Sequence, residues 1–299
     1  MNGQYNIKDL ESISGIQAHT IRIWEKRYGI LKPERSENNF RHYDDEDLRY
    51  FLKLAFLNKN GIKISKLAAM SEDQINELVN DFQKPLNNHQ AQIDSLIIAM
   101  ISFDEEEIEN IMQHLIMHMG LDEAMINIAF PFLNKIGILW STGNISPVQE
   151  HFVANLIRQK IMAATDSISS NTNVSEEKTF ILFTFPNDLH DIGLLFANYL
   201  IRLHGYKTIY LGVSVPVEEL KAVRHSINAG YIFTQSITHK PDEDLIEGLR
   251  AIRGIFNESE ILLGGNLEPG FEKHIDKKTT VFRNIDSFSD YLKAITINK

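Results

Sequence analysis

The chain has 299 residues, 43% of them hydrophobic, which suits two or three globular domains. The absence of cysteine excludes disulfides and thiolate metal sites. No apolar run reaches about 18 residues, so we expect no membrane span, and a cytoplasmic protein. The net charge of −10 argues against nucleic acid, but residues 1–43 hold 7 basic and 5 acidic side chains. This unevenness reflects either chance or a local basic face that binds phosphate.

Composition divides the chain into three regions, residues 1–80, 85–168 and 178–299. Pro85 stops a helix at the first break, and a polar linker follows the second region. The predicted fold class is a multidomain chain with α and α/β parts. It comprises a winged helix-turn-helix, a four-helix bundle and a flavodoxin-like doubly wound parallel sheet.

The first region predicts short helices and a hairpin wing. Two helices, 7–14 and 18–28, precede a polar wing over 31–43, and helices follow over 44–58 and 62–69. In the second helix, the spacing of Ile21, Trp24 and Tyr28 predicts a buried face. Another face carries His19, Arg22 and Lys26, which are expected to point outward. This is the arrangement of a helix-turn-helix that enters the major groove. The alternative is a generic small helical domain with solvated Arg and Lys.

Four segments of this region resemble the MerR family of regulators over about residues 4–72. They are Tyr5–Leu10 (YNIKDL), Thr20–Glu25 (TIRIWE), Tyr28–Leu31 (YGIL) and Phe40–Tyr43 (FRHY). The resemblance implies a double-stranded DNA operator as partner. It implies base-reading contacts from Thr20, Arg22 and Lys26, and backbone contacts from Arg35, Arg41 and Tyr43. Because Pro85 interrupts the usual dimer helix, we expect a dimer or tetramer to form through the C-terminal modules.

The middle region predicts an antiparallel bundle of helices over 89–102, 105–118, 121–138 and 147–168. Ser146 and Gln149 form a capping box at the start of the last helix. Trp140 before this helix and Glu150-His151 just inside it can gather at one end of the bundle. The alternative is a core tryptophan and a surface pair.

The last region predicts five β–α units and hence a parallel sheet whose strand ends bind ligands. The strands are expected at 179–185, 207–212, 231–236, 260–265 and 279–284, and the helices at 189–204, 216–229, 242–256, 267–274 and 286–296.

Chemistry-bearing residues follow three of these strands. Asp188, His190 and Gly193 follow the first, Ser236 ends the third, and Gly264-Gly265 end the fourth. A neutral imidazole is a ligand for cobalt, and a carboxylate two residues away can fix its tautomer. The glycines leave room for a bulky group beside the backbone. The alternative is a structural histidine.

This set resembles the B12-binding domain of methionine synthase and corrinoid proteins, over residues 178–299. The resemblance implies that His190 is the lower cobalt ligand and that Asp188 orients it. It implies that Ser236, Gly264 and Gly265 line the slot for the displaced nucleotide tail. The sequence departs from the family at Thr238, where leucine is usual.

Trp140, then nine residues, then Glu150-His151 resembles the pattern of the CarH-like light-dependent regulators, and the order of the three modules matches as well. The resemblance implies that the bundle caps the upper face of cobalamin. Trp140 would cover the upper group, Glu150 would bond the ribose of an adenosyl group, and His151 would support the pocket. In that family a histidine after the tryptophan can bind cobalt once light breaks the cobalt–carbon bond. Ser141 stands at that position here.

Three functions follow from these hypotheses. The first is a non-enzymatic repressor controlled by adenosylcobalamin, or by methylcobalamin, and by light. The second is a MerR-type regulator that uses cobalamin without light or has lost it. The third, a corrinoid methyl carrier, needs a substrate barrel or a partner enzyme, and the sequence contains no such barrel.

Overall fold

The computed structural model divides into two compact units, residues 1–156 and 157–299. The first unit therefore holds both the predicted DNA reader and most of the predicted bundle. Pro85 and the predicted linker 169–177 lie outside the described residues. The structure describes residues 5–35, 40–83, 88–143, 145–168, 178–238 and 241–297.

The reader part of the first unit begins with a capped helix. The Asn6 side chain accepts from the Lys8 amide, the Asp9 side chain accepts from the Asn6 amide, and Gly15 ends the helix with φ of 71°. The wing strands pair antiparallel. The elements are α1 (Ile7–Ser14), α2 (Ala18–Tyr28), β1 (Glu34–Arg35), β2 (Arg41–His42), α3 (Asp45–Lys59), α4 (Ile64–Leu67) and α5 (Glu72–Gln83). The sequence reasoning had not placed α5.

The core of the reader forms where α2 crosses α3. Ile21 and Trp24 are buried, as predicted, whereas Tyr28, also expected in the core, is half-buried at the end of α2. The ring centroids of Trp24 and Phe51 lie 6.2 Å apart. Asp44 caps α3, whose first turn is acidic, and this suits the positive end of the helix dipole. The packing leaves the opposite side of α2 exposed.

The bundle matches the predicted four helices. Gly120, with φ of 84° and ψ of 161°, separates the second helix from the third. The elements are α6 (His89–Ile101), α7 (Glu105–Ala124), a π turn (Met125–Ala129), α8 (Phe130–Ser141) and α9 (Pro147–Ser167), which runs into the second unit.

One helical stretch of the described residues, Glu105–Ser141, is long and apolar enough to cross a membrane by composition alone. The break at Gly120 and the π turn interrupt it. Leu115 and Ile128 of this stretch are buried in the first unit, whereas Met117 and Ile138 are exposed.

The second unit is a five-stranded parallel sheet in the order β4-β3-β5-β6-β7, which confirms the flavodoxin-like prediction. Its strands are apolar because both faces are covered. The elements are β3 (Thr179–Thr184), α10 (Ile192–Leu203), β4 (Lys207–Gly212), α11 (Leu220–Ser226), β5 (Tyr231–Ser236), α12 (Asp242–Ile255), β6 (Glu260–Gly265), β7 (Thr279–Phe282) and α13 (Ile285–Ile297).

The helix predicted over 267–274 is wrong. Only a short 3-10 turn, Phe271–His274, forms there. Pro269 disfavours helical backbone in the residue before it, and Gly270 adopts φ of 92°. The helix predicted over 216–229 is also shorter, with a 3-10 turn at Val217–Glu219 before α11.

Candidate functional site

Asp188 and His190 lie in the loop after β3, at the carboxyl edge of the sheet. The Asp188 side chain is fully buried, whereas 59% of the His190 side chain is exposed. His190 Nδ1 lies 2.9 Å from Asp188 Oδ1. The predicted pair is therefore formed, with the acid inside and the ring at the surface.

Several donors converge on the Asp188 carboxylate. Its Oδ2 accepts from the amides of Ile237 at 2.7 Å and Thr238 at 3.3 Å. Burial raises the pKa of Asp188, but hydrogen bonds from the His190 ring and from these backbone amides outweigh burial and lower the pKa to about 2. An ionised Asp188 accepts the Nδ1 proton of His190. When the ring is neutral, this arrangement leaves the lone pair on Nε2, as a metal ligand requires.

Two residues that the sequence reasoning missed hold this loop in place. Gln235 is buried, and its Nε2 donates to the His190 carbonyl at 2.6 Å. Thr184 Oγ1 donates to the Asp188 carbonyl at 2.6 Å and accepts from the Ser214 amide at 2.8 Å. Gln235 and Thr184 are polar residues at the carboxyl ends of mostly apolar strands. That position in the sequence could have indicated their role at the site.

The adjacent strand ends bring the other predicted residues to the same edge. Ser236 is buried, and its Oγ donates to the Thr238 carbonyl at 3.2 Å. Ser236 pairs with Gly265 across β5 and β6. Thr238, the departure from the family pattern, also places its Oγ1 3.3 Å from Asp188 Oδ1. It therefore supports the Asp188–His190 pair.

The three glycines at this edge differ in whether the fold leaves room for a side chain. A Cβ on Gly265 would lie 2.0 Å from the Ser236 carbonyl oxygen, and its φ is 128°. A Cβ on Gly193 would lie 2.7 Å from Gln235 Oε1. A Cβ on Gly264 would meet its nearest atom, in the Phe233 ring, at an ordinary 3.5 Å. The fold thus requires a glycine at Gly265, whereas at Gly193 the end of the Gln235 side chain would have to move and at Gly264 a Cβ would make only ordinary van der Waals contacts.

The end of the bundle near the α8–α9 connection carries the second predicted group. Trp140 is 54% exposed, so it is not a core residue. Glu150 Oε2 lies 2.9 Å from His151 Nδ1, and both side chains are accessible. Ser141 Oγ donates to the Ile138 carbonyl at 2.9 Å. An aromatic face and an acid–base pair thus lie at one end of the bundle.

The outward face of α2 carries the predicted base-reading residues. Arg22 and Lys26 are exposed, and Thr20 is half-buried. His19 is exposed beside them. This face is suited to the major groove because Arg can bond guanine edges and Lys can hold phosphate.

The wing residues are organised by Glu25, which the sequence reasoning gave no role. Arg41 Nε donates to Glu25 Oε2 at 2.9 Å, and the Tyr43 hydroxyl donates to Glu25 Oε1. Burial and the Glu25 carboxylate raise the pKa of Tyr43. Arg35 is exposed, as expected, but Tyr43 is buried. Its backbone pairs with Tyr5, and its aromatic ring is buried inside the reader.

Two family models match the chain. The MerR HTH family regulatory protein matches residues 5–74, and a B12 binding domain matches residues 92–164, which are bundle helices. The chain combines a MerR-type reader with a B12-binding domain. It is thus a MerR-type transcriptional regulator with a B12-binding domain.

Two repressors are similar to this chain over most of its length. It is 24% identical over 255 residues to the HTH-type transcriptional repressor CarH of Myxococcus xanthus, covering 83% of this chain and 84% of the relative. It is 22% identical over 217 residues to the repressor CarA of the same organism, covering 72% and 70%. The fold is similar to the monomethylamine corrinoid protein of Methanosarcina barkeri, with a TM-score of 0.55 and 12% identity over 69% of this chain and 99% of that one.

Proposed function

We propose that this regulator is a cytoplasmic repressor without enzymatic activity, and that adenosylcobalamin controls its binding to a double-stranded operator. The observation that carries the proposal is the His190 imidazole held by a buried, ionised Asp188 at the carboxyl edge of the parallel sheet, which is where such folds bind ligands. This donor set fits cobalt, because the proton on Nδ1 directs the Nε2 lone pair outward as a ligand. The similarity to the repressors CarH and CarA supports the regulatory role.

His190 would bind cobalt from the lower side, and Asp188 would orient it. Ser236 and Gly264 would line the slot for the nucleotide tail, since an added Cβ on Gly264 meets no hard contact in the protein itself. Gly193 and Gly265 would shape the same edge through the backbone.

Trp140, Glu150 and His151 would contact the upper group. An exposed indole offers a flat apolar surface, and the Glu150 carboxylate can accept from a ribose hydroxyl. A ribose on the upper face of the corrin requires the adenosyl form of cobalamin, because an upper methyl group presents no hydroxyl. We therefore propose adenosylcobalamin over methylcobalamin.

Thr20, Arg22 and Lys26 would read the operator, while Arg35 and Arg41 would hold its backbone. Tyr43 would act through Glu25, because its ring is buried. We propose that the protein assembles as a dimer or tetramer through its C-terminal modules, with cobalamin favouring the assembled form.

We also propose that light releases the DNA. Adenosylcobalamin supplies a weak cobalt–carbon bond that light breaks. Without the adenosyl group, Trp140 and Glu150 lose a partner. The cobalamin-loaded protein and the illuminated protein therefore differ in how tightly their protomers associate. Ser141 offers no imidazole, so His151 is the nearest residue in sequence that could supply one.

The test uses purified full-length protein incubated with adenosylcobalamin in the dark and then illuminated. The wild type should give the visible spectrum of bound cobalamin and shift a selected operator duplex in the dark only. His190→Ala should lose tight binding, and His225→Ala, which removes a surface histidine of α11, should not. Equal affinities of the wild type and His190→Ala would overturn the ligand assignment.

A further inference from the structure

Asp191, the residue after His190, stands at the N-cap position of α10 but does not cap that helix with its side chain. Aspartate is favoured at an N-cap because its carboxylate can accept from the free amides of the first helical turn. The Asp191 carboxylate accepts from none of the amides of α10, all of which the structure describes. The Asp191 carbonyl accepts from the Leu195 amide at 2.8 Å. The carboxylate is therefore directed to another partner.

That partner is an arginine of the long helix α9. Arg158 Nε donates to Asp191 Oδ2 at 2.6 Å, and Arg158 Nη2 donates to Asp191 Oδ1 at 2.8 Å. Both residues belong to the second unit, and their side chains are half-buried. A bidentate, charge-assisted pair of this kind fixes the distance and the orientation of its partners. Helix α9 thus holds the residue next to His190.

Other contacts fix the backbone of His190 itself. Its amide donates to Asp188 Oδ1 at 3.1 Å, and its carbonyl accepts from Gln235 Nε2 at 2.6 Å. These two anchors come from the loop and from the neighbouring strand β5. The Arg158–Asp191 pair adds an anchor from a helix, directly after the His190 carbonyl. A displacement of Asp191 would therefore move the backbone that carries the imidazole.

A second bidentate pair in the same unit lies at the opposite edge of the sheet. Arg253 donates through Nε and Nη2 to the Asp276 carboxylate, each at 3.1 Å. It also donates to the carbonyls of Ser259 at 2.5 Å and Lys278 at 3.0 Å. Ser259 and Lys278 directly precede β6 and β7, so this pair lies at the amino edge of the parallel sheet. The two pairs share their chemistry but differ in their position relative to the candidate site.

We propose that Arg158 is a positioning residue for the lower cobalt ligand, because through Asp191 it fixes the backbone from which the His190 imidazole projects. Asp188 orients the ring, and Arg158 sets where the ring stands. Supporting groups must hold a metal ligand within about 0.5 Å of the productive geometry. The inference deepens the proposed function and rests on it for the identity of the metal. The restraint itself belongs to the protein without cofactor.

Two variants break the pair in different ways. Arg158→Gln removes the charge and the fork of donors. Asp191→Ser shortens the side chain beyond the reach of Arg158, but its hydroxyl can cap α10, so the second unit should keep most of its stability. Arg158→Lys keeps the charge without the fork and should lie between the wild type and Arg158→Gln. The matched control is Arg253→Gln, which breaks the pair at the amino edge.

The first measurement is amide hydrogen exchange of His190 in full-length protein without cofactor. Arg158→Gln and Asp191→Ser should each speed this exchange about fivefold, which corresponds to about 1 kcal/mol. The double variant should add little beyond either single variant, because each change already breaks the pair. Unchanged exchange in both test variants overturns the inference, whatever the cofactor proves to be.

The control separates a local effect from a general loss of stability. Arg253→Gln should leave exchange at His190 as in the wild type. It should instead speed exchange of the Ile261 amide, which donates to the Lys278 carbonyl at 2.9 Å. If Arg253→Gln speeds exchange at His190 as much as Arg158→Gln does, the effect is one of overall stability and the positioning role is refuted.

The second measurement is the visible spectrum of bound adenosylcobinamide in the dark, with His190→Ala as the reference without a histidine ligand. This form of the cofactor lacks the nucleotide tail, so an imidazole below the cobalt must come from the protein. Arg158→Gln and Asp191→Ser should bind it about tenfold more weakly than the wild type. At saturation, part of the bound cofactor should show the His190→Ala spectrum. Arg253→Gln should show the wild-type spectrum.

The outcomes distinguish this inference from the proposed function. Wild-type affinity together with the wild-type spectrum in both test variants overturns the positioning role of Arg158 alone. A wild type whose spectrum equals that of His190→Ala refutes His190 as the lower ligand. In that case the exchange measurement still decides whether Arg158 holds the loop.

Discussion

Replacing Asp188 by asparagine tests the centre of the site, because this change keeps the shape of the side chain and removes its charge. Asp188 is buried among donors from the His190 ring, Ile237 and Thr238. An asparagine accepts through one oxygen only and turns an NH2 group towards the remaining donors. We expect Asp188→Asn to destabilise the second unit and to loosen the orientation of His190.

The pKa sets the magnitude. A carboxyl whose pKa falls from 3.8 to about 2 on folding contributes about 2 kcal/mol at neutral pH. Because the folded pKa is the lower one, this stabilisation is complete above about pH 5 and is lost as the pH falls towards 2, with about half remaining at pH 3. The difference in the free energy of unfolding between the wild type and Asp188→Asn should shrink over the same pH range.

Both tryptophans, Trp24 and Trp140, lie in the first unit, so fluorescence does not report on the second. Urea unfolding should instead be followed by hydrogen-exchange pulse labelling of β3 and β5 at pH 7 and pH 3. Asp290→Asn is the control, because Asp290 and its ion-pair partner Lys293 are both exposed on α13. Loss of an orienting partner should also weaken cobalamin binding about 10–100-fold. If the difference in stability between the wild type and Asp188→Asn does not depend on pH, the stabilisation does not come from the lowered pKa of Asp188.

The remaining predictions concern DNA, assembly, light and the glycines. Arg22→Ala should weaken operator binding by about 1–3 kcal/mol. Arg41→Ala should weaken binding to all duplexes alike and reduce the dependence of the DNA affinity on salt concentration. Gel shifts that show neither effect would exclude this DNA-reading face. Size exclusion with light scattering should show a larger species with adenosylcobalamin in the dark, and an equal mass without it contradicts the assembly. Because Ser141 supplies no imidazole, illuminated protein should lose cobalamin more readily, and a stable bis-imidazole spectrum would argue otherwise. Gly265→Ala should destabilise the second unit by more than about 1 kcal/mol. Gly264→Ala should leave the stability unchanged and weaken cobalamin binding. Equal urea midpoints for the two variants would disprove the steric argument.

Hydrophobic periodicity predicted the helices and strands well, because each buried face repeats at its own interval. Strands β4, β5 and β6 and helix α2 have the predicted bounds. The failure over 267–274 arose because apolar spacing outweighed the backbone restrictions of Pro269 and Gly270. Pro269 and Gly270 were visible in the sequence, so the local sequence already argued against a helix over 267–274.

Contacts between distant residues were beyond the sequence pattern. Glu25 meets Arg41 and Tyr43, 16 and 18 residues away, and no spacing rule joins a helix to a wing at that distance. Likewise Gln235 reaches the His190 carbonyl across 45 residues. The residues that bear the chemistry were predictable from type and strand position, whereas those that hold them depend on the tertiary fold.

The glycines at the sheet edge show why a motif does not by itself identify a ligand slot. In sequence, Gly193, Gly264 and Gly265 suggest the same role, which is space for a bulky group. In the structure, the Ser236 carbonyl already excludes a side chain at Gly265, and Gln235 crowds Gly193. A protein that had lost its ligand would keep Gly265 to preserve β6. Only Gly264 has no requirement from the fold, so its replacement is the change at this edge that separates cobalamin binding from stability.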